Sequence, residues 1–322
     1  MKFYDRENEM QMLHEIESAT HEGSQMTVLV GRRRIGKTKL LIHASEGKPA
    51  VYFFVSRKSE SILCSQFVEE AERGLGMPIG AYHRLADLLE HLMRLSQSMP
   101  FTLIIDEFQE LLNIDASIIG DIQRVWDLNK DRSRINLLLS GSVYSMMHRI
   151  FEDNKEPLFS RASNIMHIHA FRTDVLKDIL RDHNARYTNE DLLALYTFTG
   201  GVAWYVELLI IESGNIELLK QTFLRDYPTF SGVMLERYFR QKAGESGRYT
   251  HIGNFWDRTG KHEIDLILAN ELDKTVEIGE VKRQAKNISP TLLQNKTDYF
   301  LTLHPQLQSY RKELLHLDLQ DM

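Results

Sequence analysis

Short apolar, β-branched runs recur through the first part of the chain: MTVLV at 26–30, AVYFFV at 50–55, FTLIID at 101–106, INLLLS at 135–140 and NIMHIHAF at 164–171. Amphipathic stretches separate them, clearest at 81–98, where Leu85, Leu88, Leu89, Leu92 and Leu95 fall at helical spacing. Continuous apolar strands alternating with helices predict a parallel α/β sheet covered on both faces. Helical patterns at 173–183, 190–198 and 202–212 predict a small helical lid, broken by Gly200 and Gly201. The pattern shifts again at Pro228 and Gly232. A helix at 232–243 then precedes a hairpin, with strands His262–Ala269 and Thr275–Lys282 around the turn-forming stretch 270–274. A helical stretch after Pro290 and two short apolar segments ending at Leu319 complete the chain. The expected organisation is a core over 1–170, a lid over 171–227 and a second small α/β domain over 228–322.

One motif places chemistry on this frame. Gly31, Arg32, Arg33, Arg34, Ile35, Gly36, Lys37 and Thr38 fit GxxxxGK[ST] at every fixed position, directly after one predicted strand and before a helical run that continues with Lys39. Such a loop binds ATP: its amides and the helix N-terminus face the phosphates, Lys37 reaches the β/γ oxygens, and Thr38 coordinates Mg²⁺. The three arginines inside it are read either as phosphate contacts or as a solvated run. The strand FTLIID ends in Asp106 and Glu107, which suit water-mediated Mg²⁺ binding and general-base activation of the attacking water. Ser140, at the end of INLLLS, is a candidate γ-phosphate sensor, against a helix-capping role shared with Ser142. Arg161 is a candidate γ-phosphate contact for its own or a neighbouring subunit, against a surface salt bridge. Near the N-terminus, Phe3-Tyr4-Asp5-Arg6-Glu7 offers an aromatic and an arginine that could border adenine, while Asp5 reads slightly better as a helix N-cap with the aromatics pinning the helix entry.

Composition narrows the class. The 322 residues are 43% hydrophobic and 26% charged, enough for two domains with ordinary cores. The single Cys64 excludes an intrachain disulfide and a cysteine-built zinc site. No stretch approaches a membrane span, so the expectation is a cytoplasmic protein. A net charge of −6 argues against a chain-wide nucleic-acid-binding surface, so any contact with DNA or RNA has to be local. His167 and His169 share a strand face but have no third ligand nearby in sequence.

The segments FYDRENEM, GRRRIGKT, LIIDEFQEL, LLLSGS, PLFSRA and TGGVAWYVELL, in that order, resemble the archaeal-type ATPase family of P-loop proteins, related to AAA+ and STAND NTPases. The resemblance implies a RecA/AAA-like five-stranded parallel sheet with the acid-bearing strand beside the P-loop strand, followed by a helical lid. It matches Lys37 and Thr38 to the phosphate-binding loop, Asp106 and Glu107 to the acidic pair, Ser140 or Ser142 to the sensor, and Arg161 to the arginine of the PL-x-x-R motif. Ala203 stands where the family usually has proline.

In the last domain, Asp265 on one hairpin strand and Glu280-Val-Lys282 on the other follow the arrangement of a PD-(D/E)xK nuclease. Alternate residues of a strand face one way, so Glu280 and Lys282 project together while Asp265 meets them across the ladder. Asp265 and Glu280 would bind Mg²⁺, Lys282 would orient the nucleophile, and Glu236 could add a ligand. An exposed strand of alternating charge would give the same E-x-K, but a carboxylate inside IDLILA is costly unless partnered. The segment also resembles the restriction-endonuclease-like domain that commonly ends archaeal-type ATPases. The expected function is an ATPase whose nucleotide state controls a nuclease-like domain acting on DNA or RNA, with homo-oligomerisation if Arg161 works in trans. The alternative is a STAND-like regulatory switch whose C-terminal domain only docks a partner.

Overall fold

The computed structural model describes residues 3–212, 227–257 and 262–322, with backbone alone at 211–212 and 227–230. The chain divides into two compact units, Arg6–His169 and Met1–Asp5 together with Ala170–Met322.

In the first unit, β1 (Gln25–Val30), β2 (Ala50–Phe54), β3 (Phe101–Asp106), β4 (Ile135–Gly141) and β5 (Asn164–His167) form one sheet in the order β2-β3-β4-β1-β5, every pairing parallel. All residues of β3 and β4 are buried, as their unbroken apolar sequences predict. One face packs Met26, Val28, Leu103 and Leu137 against the helices Glu60–Leu75, Leu85–Leu95 and Ser117–Asn129. Trp126, 2% exposed, is among the largest side chains buried there, and a residue of that size contributes about 2–3 kcal/mol. The predicted leucine stripe holds: Leu85, Leu88, Leu89 and Leu92 are buried.

Three expectations are corrected here. The acid-bearing β3 does not lie beside the P-loop strand β1, because β4 is inserted between them. The end of β4 is thereby brought between loop and acids, with the Gly31 N–H 3.4 Å from the Gly141 carbonyl. β5 stops at His167 rather than running to 171, since Val30 is the last residue of β1 able to pair before the chain turns into the loop. The helix Glu7–Ala19 starts after Arg6 without a side-chain cap, so Asp5 is not its N-cap.

The second unit contains the helices Thr173–His183, Asn189–Thr199 and Ala203–Glu207, the last continuing into a π-helical turn Leu208–Glu212, and the helix Tyr227–Glu245. A Thr188–Asp191 capping box starts the second helix and Gly200, at φ 56°, ends it. A four-stranded sheet follows: β6 (His251–Trp256), β7 (Glu263–Asn270), β8 (Thr275–Val281) and β9 (Arg311–Leu317), with β6-β7-β8 antiparallel and β9 parallel to β8. The hairpin is where the turn residues predicted it. β6 escaped the sequence reading, and β9 showed only as part of the apolar segment ending at Leu319, because both are partly exposed edges without an unbroken apolar run. Leu176, Leu192, Tyr196 and Tyr238 share one core with Leu266, Leu268 and Val281, so the lid helices and this sheet are a single body. Ile267, Ile278, Leu293 and Phe300 fill the other face, beneath the helix Pro290–Leu303. Among the described residues, no helix is long and apolar enough to cross a membrane.

Candidate functional site

The loop between β1 and the helix Lys37–Ala44 is held by close approach. A Cβ on Gly31 would fall 2.6 Å from the Ile168 carbonyl, and Gly36 takes φ 101°, a conformation that favours glycine. Ile35, 2% exposed, anchors the loop from below. Arg6, 5% exposed, reaches the His169 carbonyl at 2.8 Å and the Ile35 carbonyl at 3.5 Å. It therefore supports the loop rather than bordering a base. Arg32, Arg33, Arg34 and Lys39 are exposed around the rim. Lys37 is buried, its Nζ donating to the Gly31 carbonyl at 2.7 Å and the Arg32 carbonyl at 3.2 Å. Burial pulls its pKa down, opposed by the negative charges of Glu107 and Asp106.

The Thr38 hydroxyl donates to Asp106 Oδ2 at 2.6 Å, and the Tyr52 hydroxyl donates to the same oxygen at 2.9 Å. Burial and the Asp106 charge push the Tyr52 hydroxyl far above its ordinary pKa, so it stays a donor. Glu107 sits at φ 54° just past the strand, turned back so that Gln109 Nε2 at 2.6 Å and Ser142 Oγ at 2.7 Å both donate to its Oε2. The register pairing Ile105 with Leu139 carries Ser140 beside Asp106. Ser140 is fully buried, and its hydroxyl has no hydrogen-bond partner among the described residues. Gly141 must lack a side chain: a Cβ there would meet Met147 Sδ at 2.3 Å and Gln109 Oε1 at 2.6 Å. These groups suit a hydrated cation and a phosphate: an oxygen-donor pair, an orphaned hydroxyl and a buried ammonium at one loop.

Arg161 is not brought to this site. It precedes β5, at the N-terminal end of the strands and so at the opposite end of the sheet from the loop, where it pairs with Asp127 at 3.3 Å and lines a polar recess of about 680 Å³ with Glu22, Lys130 and Ser163. Contact with the γ-phosphate of its own chain is corrected on that ground: the full length of β1 separates the two.

In the second unit, the pairing of Leu266 with Gly279 carries Asp265 and Glu280 side by side. Both are 5% exposed. Lys282 Nζ lies 2.9 Å from Asp265 Oδ2 and 3.4 Å from Glu280 Oε1. Burial depresses the Lys282 pKa, but the hydrogen bond and charge of Asp265, with Glu280 behind it, raise it overall. Lys296, from the helix Pro290–Leu303, contacts both Glu280 oxygens at 3.3 Å. Glu236, on the helix Tyr227–Glu245, is pushed up to about 7 by burial and the nearby Asp265 charge. The sequence thus predicted a real cluster. No group of three or more His, Cys, Asp or Glu that could hold a metal is present among the described residues, so a cation here would take Asp265 and Glu280 and complete its shell with water.

Sequence reasoning missed Tyr52, Gln109 and Lys296. Tyr52 sits in an apolar strand and Lys296 on a helix surface pattern, positions that packing alone explains. Gln109, close after Glu107 on a strand-to-helix turn, was the one local signal.

Comparison with known proteins gives two family matches. Residues 3–209 match a family described as an ATPase domain predominantly from Archaea, and residues 204–294 match one described as archaeal and bacterial proteins of unknown function. An uncharacterized protein of Methanocaldococcus jannaschii is 26% identical over 205 residues, covering 64% of this chain and 43% of the relative. The chain thus aligns with less than half the length of that relative. Among solved structures, the Walker-type ATPase of Pyrococcus abyssi superposes with a TM-score of 0.53 at 18% identity, over 74% of this chain and 76% of that one. The ORC2 protein of Aeropyrum pernix, solved as ADPNP–ADP complexes, gives 0.51 at 19% identity, over 70% and 65%. Both are similar in fold.

Proposed function

We propose that this chain, which belongs to the family of ATPase domains found predominantly in Archaea, hydrolyses ATP and uses its nucleotide state to control a metal-dependent nuclease centre at Asp265, Glu280 and Lys282. The hydrolytic half rests on the 2.6 Å contact of Thr38 with Asp106 beside a complete phosphate loop. Loop amides and the helix N-terminus cradle the β-phosphate, and Lys37 exchanges the Gly31 and Arg32 carbonyls for β/γ oxygens. Thr38 directly, and Asp106 through water, are the residues that would hold Mg²⁺, which supplies charge neutralisation at the phosphates. Glu107 orients the attacking water and accepts its proton once Gln109 and Ser142 yield its Oε2. Arg161, paired with Asp127, can meet a γ-phosphate only across a contact with a second copy, and ATP turnover per chain that rises with protein concentration would show such a contact.

The nuclease half rests on Lys282 spanning two buried carboxylates at 2.9 and 3.4 Å. Asp265 and Glu280 would hold the cation, and Lys282 would orient water or offset charge on the scissile phosphate of DNA or RNA. The test is Mg²⁺-dependent cleavage of both polymers with and without ATP in wild type, Lys37→Ala and Lys282→Ala. Cleavage should vanish in Lys282→Ala and lose its ATP response in Lys37→Ala. No cleavage under any condition, or cleavage untouched by Lys282→Ala, sinks the nuclease reading.

A specific observation favours a second reading. Asp265 Oδ2 already accepts from the Val281 N–H at 2.9 Å as well as Lys282, and Glu280 is matched by two lysines. Such internal neutralisation also suits a regulatory NTPase whose C-terminal module only docks a partner. Tight nucleotide binding with slow turnover and no cleavage selects it.

A further inference from the structure

The sheet face that carries Asp265 and Glu280 continues into a cavity of about 450 Å³ within the same unit. Ile267 and Ala269 form part of its floor, following Asp265 on the same side of β7. Rings make its walls. Phe300 and His304 lie 4.4 Å apart between centroids, Phe255 meets Phe300 edge-on at 5.2 Å, and Tyr310 closes one side. A register shift in β6 between Gly253 and Phe255 breaks the ladder where Asn254 meets the cavity. Such bulges re-aim side chains beside functional sites. Gln306 and His251 add further polar groups to the lining.

The volume falls in the range of small-molecule sites. Flat rings with amide and imidazole groups among them match a planar heterocycle bearing donors and acceptors on its edge. Asn254, His251 and Gln306 are exposed at the cavity rim, with Gln306 meeting His304 Nδ1 at 3.5 Å, so a ligand seated on the rings finds polar groups at its edge. The helix Pro290–Leu303 links cavity to carboxylates: Lys296 contacts Glu280, Phe300 lies one turn further on, and His304 follows the helix end.

We infer that this cavity is a base-binding subsite, taking one unpaired base of a single-stranded nucleic acid whose adjoining phosphate lies at Lys282 and Lys296. The phosphate position rests on the nuclease reading above; the ring-lined cavity does not require cleavage. Base stacking of this kind corresponds to about 5-fold to 150-fold in affinity.

The test uses the full chain in EDTA with an end-labelled single strand, its duplex, and the same strand carrying abasic positions. The intact single strand should bind at least about 5-fold tighter than either competitor. His304→Ala and Tyr310→Ala should remove that preference while ATP turnover and the melting temperature stay unchanged. Lys282→Ala should weaken all three ligands by one common factor, as a phosphate contact does. Independently of any variant, titrating the wild type with a nucleoside should shift the ring proton resonances of His251 and His304. Equal affinity for intact and abasic strands, or unmoved histidine resonances, overturns the subsite. Single-strand preference without cleavage in Mg²⁺ keeps the subsite and removes the nuclease. Cleavage indifferent to abasic positions and to both ring variants does the reverse.

Discussion

The two acidic sites follow opposite electrostatic plans. At the end of β3, Asp106 and Glu107 are held by neutral donors, Thr38, Tyr52, Gln109 and Ser142, while the nearby Lys37 amine rests on backbone carbonyls. At β7 and β8, Asp265 and Glu280 are held by Lys282 and Lys296. Neutral donors fix a carboxylate without cancelling its charge, so the first site keeps its charge for a ligand that brings a cation. Lysines cancel it, so the second site must exchange an ion pair before it can hold a metal.

The largest effect that separates these plans is kinetic. Lys37→Ala should lower ATP turnover by about 100-fold or more, and Glu107→Gln should do so while nucleotide binding persists, because a positioned base contributes about 10²–10⁴-fold. Steady-state turnover together with equilibrium nucleotide binding checks both. Retained turnover in Glu107→Gln would remove the general-base role.

Next in size, Lys282→Ala leaves Asp265 buried with its charge uncompensated and should cost on the order of 2 kcal/mol, after allowing for the 35% exposure of Lys282. The contrast is Thr38→Val, which removes a neutral donor and should cost about 1 kcal/mol. Denaturant unfolding measures both. Equal costs would erase the distinction between the sites.

Glu236 sharpens it further. Its pKa of about 7 lies above the ordinary carboxylate value, so the folded chain holds this proton more tightly than the unfolded chain, and stability falls as pH rises from about 4.5 through 7. Glu236→Gln should be nearly neutral at pH 5 and stabilising at pH 8 by about 1–2 kcal/mol, discounted for its partial exposure. A pH-independent difference would refute the shift. The smallest effect belongs to Tyr52→Phe, which should slow ATP turnover about 3-fold to 10-fold through Asp106, on the scale of one net hydrogen bond, with the melting temperature changed little.

How far these sites were legible depended on how local their rules are. The loop is written in eight consecutive positions, so its residues and their context could be read directly. The strand ending in Asp106 was legible from its apolar run, but its neighbour was not, because strand order depends on crossovers that leave no local trace. That is why β4 between β1 and β3 was missed. The hairpin carrying Asp265 and Glu280 was legible because turn residues fix register, and register fixes which side chains meet. Lys296 and the ring-lined cavity were not, since they assemble from segments whose own sequences satisfy ordinary packing. Arg161 illustrates the converse: a motif can single out a residue while saying nothing about the end of the sheet it occupies, here beside Asp127 and away from the loop.

Tyr4 belongs to the unit whose main body begins at Ala170, buried among the lid helices with its hydroxyl donating to Asp182 at 2.9 Å. That long separation in sequence sets an order of events during synthesis. Arg6–His169 is contiguous and gains its last strand, β5, at a sheet edge, so a growing chain can complete that unit while ribosomes are still translating the lid. Tyr4 then waits for a partner made much later, and its seating becomes a late reporter of folding, silent in a nascent chain stalled before residue 182.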